Sequence, residues 1–167
     1  MTTSTTLELA GAAEAIYGVL GRRCAEVSDD GYVVGLYEMA RACGAVSLRL
    51  RESAGVSTVV AAPVVSAVLE RSFDGDATGA LALYATTMVV VPRFLVALRD
   101  ARAEETGEPL GAILVQATDT VVSALRRLTE HAHDQDVFDD LAWQSAARAL
   151  SETLDGAGYG ESLVISR

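Results

Sequence analysis

The chain of 167 residues has no lysine and no asparagine, so all thirteen of its basic residues are arginine. Without lysine there is no Schiff-base chemistry, no attachment point for pyridoxal phosphate and no Walker A lysine. Without asparagine there is no kinase-type magnesium ligand of that kind and no N-glycosylation acceptor. Lys and Asn codons are AT-rich, whereas the abundant Ala, Gly, Arg, Val and Asp have GC-rich codons. The bias points to a very GC-rich genome of the actinobacterial kind. Cysteine is scarce too: Cys24 and Cys43 make no framework. On neighbouring helices they would stand several turns apart, beyond the roughly 7 Å between Cα atoms that a disulfide tolerates. Two reduced, buried thiols are expected.

Long apolar runs are also missing. The longest uncharged stretches, Ser53 to Leu69 and Ala77 to Pro92, fall short of the about 20 residues that span a bilayer. Met1 to Thr6 is polar and uncharged, and Glu8 and Glu14 follow, which does not read as an export signal. No membrane association and a cytoplasmic location are therefore expected. A net charge of −10 argues against a nucleic-acid partner. The densest basic spots, Arg49 with Arg51 and Arg99 with Arg102, have Glu52 and Asp100 beside them and read as solvated helix faces.

What is present is a pattern of apolar residues at helical spacing, in a chain that is 50% hydrophobic. Leu9, Ala13, Ile16, Tyr17, Leu20 and Cys24 make one stripe, with Thr6 as its expected N-cap. Gly11, Gly18 and Gly21 interrupt it, which implies either fraying or close contact. After the turn Ser28 to Gly31, a second stripe runs through Tyr32, Leu36, Met39, Ala40, Cys43, Val46, Ser47 and Leu50 and ends near Gly55. The short connection predicts an antiparallel pair. Val56 to Ala62 is rich in β-branched residues and precedes a proline, so it reads as a loose or extended lead-in to a short helix from Pro63. A further helix from Ala77 carries Leu81, Tyr84, Met88 and Val91, and is expected to kink or break at Pro92. Leu110 to Glu130 has the clearest stripe, and a last helix follows Asp136.

The expected fold is all-α, an antiparallel bundle of five to six helices over residues 1–155, with a flexible Gly-rich tail over 156–167. A smaller alternative pairs Ser57–Val60 with Met88–Val91 as strands. No fixed-period repeat is present.

Chemistry-bearing patterns are sparse. Glu130-His131-Ala132-His133-Asp134 could bind a metal through His131, His133 and Asp134, but only in a turn or extended segment, because helix positions two apart point about 200° apart. A polar loop capping the next helix is the plainer reading. No Gly-x-Ser-x-Gly elbow and no Glu-x-x-His pair occur. Glu38 and Asp119 are carboxylates in mostly uncharged stretches. Asp119 reads more simply as part of an exposed face, and Glu38 as a surface partner of Arg41. The expected function is a non-catalytic helical module that self-associates or binds a protein partner, with no cofactor. The alternative is a cofactor-independent enzyme or binder of an apolar small molecule, its pocket lying between helices around Tyr84, Arg93, Asp119 and Trp143.

Overall fold

The computed structural model describes residues 3–26, 34–71, 77–105 and 107–134, with the backbone alone for 77–82 and 131–134. These residues form five helices: α1 (Thr3–Cys24), α2 (Val34–Ala54), α3 (Pro63–Arg71), α4 (Ala77–Glu104) and α5 (Leu110–Asp134). No strand occurs among them. The expected last helix and the tail lie outside the described residues.

The stripes predicted from spacing are the buried faces. Leu36, Met39, Ala40, Cys43, Val46, Ser47 and Leu50 of α2 all face inward, as do Leu114, Ala117, Val121, Ala124, Leu125 and Leu128 of α5. Fully burying one such leucine contributes roughly 1.5–3 kcal/mol relative to leaving it exposed. α1 differs in two details. It starts at Thr3 rather than capping at Thr6, whose side chain is buried, and Tyr17 stands outside the core.

Direction follows from which residues meet. Ser47 Oγ donates to Glu14 Oε2 at 2.9 Å, and Gly44 lies against the Tyr17 ring. Three residues forward along α1 thus match three residues back along α2, so the two helices are antiparallel. The same test makes α5 antiparallel to α2: Glu38 meets Arg127, while Val46 and Arg49 lie near Ala117 and Ile113. Packing runs α1 on α2, α2 on α5, α5 on α4 and α4 on α1, a four-helix ring around one core. The short α3 lies over the seam between α1 and α4. Its far end is tied down by Glu70, which accepts from both Arg22 and Arg23, the latter through Nε at 2.8 Å.

α4 is continuous across Pro92, although proline has no N–H to give the Met88 carbonyl. Met88, Val90, Val91, Phe94 and Leu95 are buried on either side of it. That packing outweighs the lost hydrogen bond, and the helix does not break. It also removes the strand alternative, since residues 88–91 are helical. Two buried threonines are satisfied within their own helices: Thr87 donates to the Leu83 carbonyl at 2.6 Å and Thr118 to that of Leu114 at 2.8 Å.

Residues 55–62 are the irregular element that matters most. Gly55 ends α2 with φ of +74°, a conformation glycine adopts without strain. Val56 N–H bonds to the Arg51 carbonyl at 3.0 Å and Gly55 N–H to that of Glu52 at 3.1 Å, the paired bonds of a Schellman turn. Arg51 then donates through Nη1 to the Ser57 carbonyl at 2.6 Å. At the other end Ala62 N–H bonds to the Gly11 carbonyl at 2.9 Å. Pro63 opens α3, where its missing N–H costs nothing. The chain between these anchors is irregular, and its residues 60–62 lie against α1.

Candidate functional site: a groove and a cleft flanking α3

Close approach of residues 60–62 to α1 explains one of its glycines. A Cβ on Gly11 would lie 2.8 Å from the Val60 carbonyl oxygen, whereas Gly18 and Gly21 have nothing within 4 Å. The same anchoring leaves the stretch before Ala62 uncovered. Among the described residues, the backbone N–H groups of 57–61 donate to nothing. Val60 is 82% exposed and Val64, the second residue of α3, is 76% exposed. Beside them opens a groove of about 760 Å³, walled mainly by Leu7, Gly11, Val56, Val59, Ala62 and Pro63. Free backbone donors next to apolar walls are the features of a surface that accepts an extended chain.

A second concavity lies on the opposite flank of α3. Ala12 and Ile16 of α1, Val64, Val65 and Val68 of α3, and Val90, Phe94 and Ala97 of α4 enclose a cleft of about 250 Å³. The α1 and α4 sets recur three or four residues apart, as do Val64 or Val65 with Val68, so each helix contributes one face. Among the described residues the one charged side chain lining the cleft is Arg93, which is exposed. Among the described residues no carboxylate pairs with it.

The residues expected to share a pocket are not brought together. Tyr84 and Arg93 are nine positions apart on α4, which at about 100° per residue puts them on opposite sides of the helix. Tyr84 is wholly buried and Asp119 is exposed on α5. Trp143 lies outside the described residues. Arg93 alone lines a cleft between helices. For the metal reading, the backbone of α5 is helical through Asp134, so positions 131 and 133 stand two apart on a helix rather than in a turn. The side chains of His131, His133 and Asp134 lie outside the described residues. Among the described residues no group of three or more His, Cys, Asp and Glu side chains could hold a metal ion.

Burial sets the protonation of the groups inside the ring. Desolvation pushes the thiols of Cys24 and Cys43 up to about 12, away from the thiolate that nucleophilic chemistry needs. Both are free and buried. The Tyr84 phenol is raised above its ordinary value, first by burial and then by the neighbouring Cys24 and Glu38, with the Gly35 backbone N–H pulling the other way. That N–H is near enough to stabilise negative charge, but the Tyr84 hydroxyl has no partner in hydrogen-bonding geometry. Glu38 faces α5, with Oε2 3.2 Å from Arg127 Nε, so it serves as an interhelical contact.

The sequence pattern missed both concavities. The signal for the groove was the β-branched run Val56 to Val60, and for the cleft the two-sided valine pattern of α3. No helix among the described residues is long and apolar enough to cross a membrane. No protein-family model, curated protein or solved structure matches this chain.

Proposed function

We propose that this chain is a non-catalytic helical module that self-associates, two copies meeting along residues 57–61, with an extended segment of another protein as the alternative occupant. One observation carries the reading: five consecutive backbone N–H groups with no acceptor among the described residues lie beside an apolar groove, with Val60 and Val64 exposed. An exposed extended edge is a template for another chain. Pairing the segment antiparallel with its own copy about a two-fold axis matches donors to acceptors on both sides and covers both valines. A cytoplasmic setting accords with two buried, unbridged cysteines.

Light scattering across micromolar to sub-millimolar concentration tests this. The wild-type chain is expected to form a dimer, and Val60→Asp to return it to monomer with an unchanged helical spectrum. Because Val60 is so exposed, that substitution alters the monomer's stability by no more than about 0.5 kcal/mol. A wild-type monomer throughout the range removes self-association. A dimer that Val60→Asp leaves intact places the interface elsewhere.

A second reading, binding of an apolar small molecule, is favoured by the cleft between α1, α3 and α4.

A further inference from the structure

Resting on that second reading, we infer that the cleft takes a small amphiphile with an anionic head, such as a medium-chain carboxylate, and that Arg93 receives the head. The walls contribute eight apolar side chains and no carboxylate, so they favour a hydrocarbon and repel no anion at short range. The volume of about 250 Å³ is at the small end for ligand sites, room for a chain on the order of six to ten carbons. Arg93 is placed for the other end of such a molecule. It lines the cleft from the same face of α4 as Val90, Phe94 and Ala97 and is exposed, and an arginine so placed can lay its apolar stem along the wall with its charge in water. With no carboxylate on it among the described residues, its fork can bind a carboxylate in the two-pronged way that planar group allows. A neutral hydrocarbon would gain nothing from this residue. A dication or amine would be repelled by it. With a net charge of −10 on the chain, long-range attraction favours cations, so any preference for an anion must come from Arg93 itself.

Octanoate and 1-octanol, titrated into the full chain by calorimetry, separate the two layers of this reading. Both have the same hydrocarbon, and only octanoate has the charge. Octanoate is expected to bind about three- to ten-fold more tightly, the range of a partly exposed charge pair. Arg93→Gln should erase that difference by weakening octanoate and leaving octanol unchanged, while Arg93→Lys keeps part of it. Ala97→Phe, which fills the cleft from an exposed position, should weaken both ligands alike. Equal affinity of the wild type for octanoate and octanol overturns the anionic assignment and leaves the apolar cleft standing. Saturable binding of neither overturns both. A preference for octanoate that survives Arg93→Gln also overturns the assignment.

Discussion

Two identical substitutions seven residues apart on α1 should have opposite signs. Replacing a helical glycine by alanine gains roughly 0.5–1 kcal/mol from backbone entropy and propensity when the new methyl meets nothing. Gly18 is such a position, where an added methyl would find no atom within 4 Å. At Gly11 the methyl would stand 2.8 Å from the Val60 carbonyl oxygen, about 0.6 Å inside ordinary contact. The obstacle is backbone, held by the Ala62 to Gly11 hydrogen bond, so relief means moving residues 60–62 off α1. Overpacking of that kind costs about 1–3 kcal/mol, and weakening the hydrogen bond about 1 kcal/mol more. Against the propensity gain, Gly11→Ala should destabilise by about 1–3.5 kcal/mol and Gly18→Ala should stabilise by up to about 1 kcal/mol. At about 2–4 °C per kcal/mol for a chain of this size, thermal melts followed by circular dichroism should fall by about 2–14 °C and rise by about 1–4 °C respectively. A Gly11→Ala variant that melts as high as Gly18→Ala would show that the 55–62 segment does not lie on α1, and the groove would go with it.

Alkaline pH should weaken the fold. Both thiols have folded-state values raised to about 12 from 9.0, so between those limits the unfolded chain releases protons that the folded chain keeps. Stability is therefore fully present below pH 9 and falls as pH rises above it, by up to about 1.4 kcal/mol per pH unit for each thiol. Denaturant melts of wild type and of Cys24→Ala/Cys43→Ala between pH 8 and pH 11 should show the steeper fall in the wild type; parallel slopes would contradict the burial of the thiols. Tyr84→Phe removes a buried hydroxyl that lacks a hydrogen-bond partner, so it should leave stability unchanged or raise it by about 1 kcal/mol. A loss of more than about 1 kcal/mol in chemical denaturation would mean that the hydroxyl is satisfied after all.

The helical faces were legible because burial and the 3.6-residue period select the same residues, as in α2, where the predicted stripe from Leu36 to Leu50 is the buried one. Pro63 as the start of α3 was legible from proline's fixed geometry. At Pro92 the helix continues rather than breaks, because the packing of Val91, Phe94 and Leu95 around it was not readable from the local cost of proline. Tyr17 misled for the converse reason: it has the right spacing for the core, yet its ring lies outside on Gly44. Tyr84 and Arg93 of the expected pocket stand on opposite sides of α4, since residues of interesting chemistry need not share a face. What the sequence could not reveal is where the irregular segment 55–62 lies, because its placement depends on a long-range bond to Gly11 and on the side chain of Arg51.

Residue-resolved amide exchange, recorded at low and high protein concentration, tests the docking edge most directly. The Ala62 amide should be slow at both concentrations, while those of 57–61 should exchange freely when dilute and slow down as copies associate. Amides of 57–61 that are already protected in dilute solution, or that never slow at any concentration, would contradict it.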